Sequence, residues 1–281
     1  MSIVLNEREY AENAIRARDL GTRPYDTLCR VAKYYYLDHS KKDIRRMLDQ
    51  FLIQCDPSAS LTGWSDTLDY IVKNINKYPL IEIDNISISK SEMEKIDKAD
   101  SVQARRLAFT LLCISKYWDI VYTLNNHWVN TPDSEIMKMA NISTSIKRQS
   151  ILYAKLNDMQ LIRFSKKVDN TNVQVLFSDN GEETMSVSNF ANLGYQYLKY
   201  HGGNFFECEN CGIVTKQNDC RSNKKKYCDK CSLEIRIKRS AESMLKHRNS
   251  LKNESVNIRQ VPKVTSQTIL FRSLLLRKEG Y

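Results

Sequence analysis

Five of the chain's eight cysteines fall between Cys208 and Cys231, in "CENCGIVTKQNDCRSNKKKYCDKC". Cys208 and Cys211 form one CxxC pair, Cys228 and Cys231 a second, with 16 residues between the pairs. A CxxC turn aims two thiolates at one ion, and an intervening segment of this length brings two such pairs together as a tetrahedral sulfur set. The spacing predicts one structural zinc ion held by Cys208, Cys211, Cys228 and Cys231. Four thiolates leave that ion no open position for water or substrate. Gly212 suits the turn after the first pair, where the backbone has to admit amide-to-sulfur hydrogen bonds. A redox role would need one CxxC pair and leave the other without a purpose. Cys220 lies mid-loop, has no second cysteine at knuckle spacing, and is read as a non-ligand.

The charge is as concentrated as the cysteines. Residues 1–215 hold 26 Lys+Arg against 27 Asp+Glu, residues 216–252 hold 12 against 4, and residues 253–281 hold 5 against 2. The net charge of +10 therefore belongs to the cysteine segment and the residues C-terminal to it. Zinc with four thiolates carries a formal −2, which a few lysines offset; the remaining cations point outward to a polyanion. DNA or RNA fits, with Lys224, Lys225, Lys226, Arg236, Lys238 and Arg239 as the candidate phosphate contacts. A solvated surface helix is the plain alternative.

The second cysteine pair runs into "SLEIRIKRSAESMLKHR", a helical pattern. Cys228 and Cys231 are thus expected at a helix N-terminus, whose dipole favours thiolate. Knuckle, loop, "KKYC" and helix together resemble a treble-clef or zinc-ribbon-like finger over residues 206–248. Similar CxxCG…YCxxC modules occur in phage and bacterial proteins. A rubredoxin-like iron site shares the ligands, but its second pair usually sits in another glycine-containing knuckle, where this chain has Ser232 and a basic helix.

The elements that position these residues are mostly helical. The stretches 6–21, 25–39, 41–55 and 63–78 carry apolar residues at helical spacing, the first ending at Gly21. "PLIEIDNISIS" alternates and reads as a short strand or hairpin. Ser89 and Glu92 form a capping-box signature for the next helix. Then come a long apolar helix over 101–124, a short one opened by Asp133 or Ser134, a longer one over 145–159, and strands "LIRFSKK" and "VQVLF". This order resembles a winged helix-turn-helix over residues 101–177. Such a resemblance implies a recognition helix with Lys147, Arg148 and Gln149 near its exposed start. One departure is Gln160, where many such domains have a glycine before the first wing strand. The segment holds 10 Lys+Arg against 5 Asp+Glu, and nucleic-acid contact and protein docking both stay open. Gly202-Gly203 is the candidate hinge into the cysteine segment.

The fold class expected is mainly α with small β parts. It divides into a helical region over 1–100, a winged-helix-like domain over 101–200, a basic zinc finger over 204–252, and a linker with a docking helix over 253–281. The apolar residues of 265–278 suit a protein partner or packing onto the chain itself. No apolar run approaches the ~20 residues of a membrane span. The start turns charged within seven residues, so it has no signal-peptide core. Both observations predict a cytoplasmic protein with reduced thiols. Nucleotide-loop, zinc-protease and nucleophile-elbow signatures are missing, and the four histidines are scattered. The expected function is a non-enzymatic, zinc-containing nucleic-acid-binding protein, of the kind that serves as regulator or replication accessory in a phage or mobile element. The alternative is an interaction factor that modulates a nuclease or polymerase, and a nuclease with an unrecognised site is the third.

Overall fold

The computed structural model describes residues 3–166, 172–218 and 224–258, with side chains up to residue 249. Cys220 and the tail segment 265–278 lie outside the described residues. Ten α-helices and three small sheets make the chain mainly α with small β parts among the described residues. It divides between Lys226 and Tyr227 into two compact units.

The larger unit holds two apolar cores. The first is built by α1 (Glu7–Ala17), α2 (Pro24–Tyr35), α3 (Lys41–Cys55), α4 (Leu61–Asn74) and a 3-10 turn, Ile75–Lys77. Leu28, Val31, Ile44, Leu48, Leu52 and Leu68 are buried there, at the helical spacing their sequence showed. Serine caps at Ser40, Ser60, Ser89 and Ser101 start four of the unit's helices with the same geometry. Ser40 Oγ accepts from Asp43 N–H at 3.3 Å, Ser60 Oγ from Gly63 N–H at 3.1 Å, and Ser101 Oγ from Ala104 N–H at 3.2 Å. The α1 helix ends at Arg18, held at φ 52, and not at Gly21, which takes its own positive φ three residues later. The Arg18 N–H reaches Ala14 and Ile15 carbonyls, so the stop is a left-handed cap on a non-glycine residue.

The second core forms around α6 (Val102–Val121), whose Leu107, Ala108, Phe109, Leu111, Leu112 and Ile114 are fully buried. The run "PLIEIDNISIS" supplies β1 (Ile86–Ser89) without making a hairpin. Its partner is β5 (Glu183–Val187), antiparallel, with Ile86 opposite Val187 and Ile88 opposite Met185. The capping box of α5 (Lys90–Asp97) is complete: Glu92 N–H donates to Ser89 Oγ at 3.2 Å, and Ser89 N–H to Glu92 Oε2 at 2.7 Å.

After α6 come β2 (Trp128–Val129), α7 (Asp133–Met139), α8 (Ile146–Asp158), β3 (Ile162–Phe164) and β4 (Val173–Val175). The strands form one antiparallel sheet in the order β2-β4-β3. Neither Asp133 nor Ser134 caps α7: the N-cap is Pro132 without a side-chain bond, and Asp133 Oδ1 instead accepts the Tyr153 hydroxyl at 3.0 Å. Leu152 and Leu156 of α8 are buried and Met159 packs on the core, as their spacing predicts. Gln160 takes φ 57, the left-handed turn a glycine usually provides before such a strand.

Next, α9 (Leu193–Tyr200) leads to the hairpin of β6 (Phe205–Glu207) and β7 (Val214–Lys216). Between them Gly202-Gly203 is a helix stop with fixed bonds, in place of the expected hinge. Gly202 sits at φ 79, its N–H reaches Lys199 O at 3.0 Å, and Gly203 N–H reaches Leu198 O at 2.8 Å. This bond pair is a Schellman cap. The smaller unit contains α10 (Asp229–Ile258).

Candidate metal centre

The β6–β7 hairpin shapes the first cysteine knuckle. Cys208 N–H donates to Ile213 O at 3.0 Å, and Gly212 N–H donates to Cys208 O at 2.9 Å. Gly212 takes φ 68, the left-handed conformation that closes the turn after Cys211 and that a side chain disfavours. The second pair is shaped by a helix start. Cys231 lies in the first turn of α10 and Cys228 immediately precedes it. Cys231 N–H points at Cys228 Sγ at 3.5 Å, and Ser232 N–H donates to Cys228 O at 2.8 Å. The N–H aimed at sulfur and the N-terminal end of the helix dipole both suit sulfurs that bear negative charge on a metal ion.

The four sulfurs of Cys208, Cys211, Cys228 and Cys231 lie within 4.8 Å of one another. Cys208 and Cys231 are buried, Cys211 and Cys228 half-buried. A tetrahedral ion with metal–sulfur bonds of about 2.3 Å spaces its sulfurs about 3.8 Å apart. The tetrad is therefore positioned to bind a metal ion, and its all-sulfur donor set suits a soft or borderline cation. Cys113 is fully buried in the second core, where burial pushes its thiol well above the usual range. Cys29 is half-buried, and loss of solvent raises its pKa as well. Neither thiol has the electropositive, accessible surroundings of a reactive cysteine.

The lysine strap that leads towards Cys228 is held by hydrogen bonds of the larger unit. Gln217 is 8% exposed, and its Oε1 accepts Lys225 N–H at 2.8 Å while its Nε2 donates to Lys225 O at 3.1 Å. Glu209 N–H donates to Lys226 O at 3.1 Å. Lys224, Lys225 and Lys226 are exposed along this strap. The Lys226 ammonium lies 3.9 Å from Glu209, an exposed pair worth a fraction of a kcal/mol (about 0.5).

The remaining expected contacts sit on two helices. Lys147 and Arg148 are exposed in the first turn of α8. Gln149 is half-buried, and its Nε2 donates at 3.0 Å to Thr144 O in the turn before α8. Arg236, Lys238 and Arg239 are exposed on α10. Arg236 and Arg239 are three residues apart and share a face, while Lys238 falls on the other side.

Three amide residues with structural roles could not be picked out from the sequence: Gln217, Asn141 and Asn192. Asn141 at φ 55 and Asn192 at φ 57 both stand just outside helices, and asparagine is the residue after glycine most at ease there. Their positions in the breaks "ANIST" and "FANLG" were the available signal. No helix among the described residues is long and apolar enough to cross a membrane. No family model matches the chain, and comparisons with curated proteins and with solved structures give no match.

Proposed function

We propose that the chain is a non-enzymatic, zinc-containing nucleic-acid-binding protein that works in the cytoplasm. The observation that carries this reading is the convergence of four cysteine sulfurs, two just before and two inside the chain's most basic segment, residues 216–252. Zinc is the metal favoured by four thiolates in two CxxC turns, and its role is to hold the finger together. The surplus of lysine and arginine around it exceeds what the site's own charge requires, which favours a polyanionic partner, DNA or RNA.

A winged-helix reading of residues 101–177 is supported by the order helix, strand, helix, helix, hairpin with sheet order β2-β4-β3. The left-handed Gln160 and the exposed Lys147 and Arg148 agree with it. On this reading α8 contributes base-edge contacts and the finger contributes phosphate contacts that position it. A regulatory or replication-accessory role in a phage or mobile element is supported by the finger's resemblance. The test is a mobility shift of the full chain with duplex DNA, single-stranded DNA and RNA at two salt concentrations. Binding that weakens steeply with salt is expected; absence of binding to all three at low salt overturns the reading.

A second reading is an interaction factor that modulates a nuclease or polymerase. It is favoured by apolar residues exposed among the cations of α10: Leu233 at 47%, Ile237 at 58%, Met244 at 67% and Leu245 at 58%. It becomes the leading reading if a protein captures the chain and nucleic acid does not compete.

A further inference from the structure

Asn192 stands at the N-cap of α9, where an asparagine ordinarily accepts a hydrogen bond from its own helix. It makes no such bond. Its Nδ2 reaches outward to donate to Val214 O on β7 at 2.9 Å, three residues past Cys211. Its Oδ1 accepts from Asn141 Nδ2 at 2.8 Å. Asn141 lies in the turn between α7 and α8, and its own Oδ1 accepts Tyr195 N–H at 3.2 Å. Tyr195 is the third residue of α9, and its N–H also donates to the Asn192 carbonyl at 2.9 Å, so Asn141 adds the side-chain acceptor that Asn192 withholds. The two side chains thus trade roles. One asparagine caps its neighbour's helix, and the other holds the metal hairpin.

Packing closes the same junction. A Cβ on Gly194 would come 2.0 Å from Ala140 O and 2.9 Å from Arg106 Nε, so only glycine lets α9 lie this close to the α7–α8 turn. Arg106 Nε donates to Ala140 O at 2.9 Å, and its Nη2 donates to Asn141 O, fixing the turn's backbone from α6. On the opposite flank the Tyr195 ring packs on Phe205 of β6 with centroids 4.9 Å apart. The start of α9 is a spacer held at one end by the turn before α8 and at the other by the hairpin that carries Cys208 and Cys211.

We propose that Asn192, with Asn141, is a positioning residue that couples the metal knuckle to the α7–α8 turn. A metal ion on the tetrad then sets the placement of α8, the helix bearing Lys147 and Arg148. The role given to α8 rests on the proposed nucleic-acid function; the coupling itself does not. Metal fixes Cys208 and Cys211, the knuckle bond from Cys208 fixes Ile213, and Val214 presents its carbonyl to Asn192. Without metal, no bond ties Cys208 and Cys211 to the second cysteine pair, the hairpin loosens, and the amide relay loses its far anchor. Coupling of this kind is reciprocal, so what stabilises the turn also tightens metal binding.

Hydrogen exchange on the full chain, zinc-loaded and chelator-stripped, tests this. The reporters are the amides of Asn141, Ile142 and Tyr195. In the parent chain, stripping zinc should speed their exchange about fivefold, the population change that one hydrogen bond of ordinary strength controls. Asn192→Gly keeps the positive φ but removes the relay. In that variant the three amides should exchange equally fast with and without zinc, while the β6–β7 amides still respond to it. Asn192→Asp keeps the acceptor for Asn141 and loses the donor to Val214 O, so it should lose zinc sensitivity with α9 still capped; it serves where the glycine variant fails to fold. Turn amides indifferent to zinc in the parent, or a full zinc response in both variants, overturn the coupling alone. A chain that binds no zinc overturns the coupling together with the zinc assignment. Zinc-sensitive turn amides in a chain that does not shift a 30-base-pair duplex leave the coupling standing and remove only the nucleic-acid reading.

Discussion

Gln217 and Lys225 bond to each other in both directions: the glutamine side chain accepts the Lys225 N–H at 2.8 Å and donates to the Lys225 carbonyl at 3.1 Å. One buried amide thereby imitates a strand partner and holds the strap three residues ahead of Cys228. Replacing Gln217 by Leu keeps much of the volume and deletes both bonds. Zinc affinity, measured by competition with a chromogenic chelator, should fall about tenfold, as for partners outside the ligand set that orient it. An affinity equal to the parent's would show that the strap is positioned without Gln217.

Elemental analysis of the purified chain should find one zinc per molecule. Cys208→Ser should lower affinity by more than about a hundredfold, beyond the loss expected from outer partners. Cys113→Ala removes a thiol buried in the α6 core, and should retain zinc while losing about 1 kcal/mol of stability. Equal zinc loss in both variants would contradict the tetrad assignment.

Gly194→Ala forces a methyl group to within 2.0 Å of the Ala140 carbonyl unless α9 moves. A loss of about 3 kcal/mol is expected from this overpacking. It should appear in a denaturant titration as a lower midpoint with unchanged slope. A midpoint matching the parent's would mean that α9 and the turn do not touch in this way in solution.

Asp179 accepts hydroxyl hydrogen bonds from Ser89, at 2.6 Å, and from Ser91, and these hold its pKa well below the usual carboxylate range. Gly181 N–H and the Lys95 ammonium act in the same direction. A depressed folded-state pKa stabilises the fold above the unfolded value of about 3.9, and that contribution is lost as pH falls towards the folded value. Thermal midpoints of the parent and Asp179→Asn should therefore differ most near neutral pH and converge below about pH 4. A gap that stays constant from pH 7 to pH 3 would rule out Asp179 as the cause.

Replacing Lys224, Lys225 and Lys226 together by Ala should weaken binding to all duplex sequences alike. It should also flatten the salt slope by about 0.9 for each phosphate no longer neutralised. If α8 is the proposed recognition helix, Arg148→Ala should hurt preferred sequences more than random ones, since such a side chain reads base edges. Full-strength binding by the lysine variant would move the phosphate contacts away from the strap.

Helices such as Lys41–Cys55 and the Ser89–Glu92 capping box could be read directly from the chain, because they depend on neighbours three or four residues away. The cysteine tetrad was equally readable, since CxxC spacing is itself a local geometry. Other features turned on partners distant in sequence. The strand Ile86–Ser89 found its mate at Glu183–Val187, about a hundred residues on. Asp133 gave up a helix cap for the Tyr153 hydroxyl, and Asn192 gave up its cap for Val214 and Asn141. The glycines at 202 and 203, flexible on paper, became a helix stop once the Leu198 and Lys199 carbonyls were there to receive their amides. Short polar side chains and glycines have several satisfactory bonds open to them at similar free energy. Local sequence names those choices, and only the packing of α6, α9 and the β6–β7 hairpin selects among them.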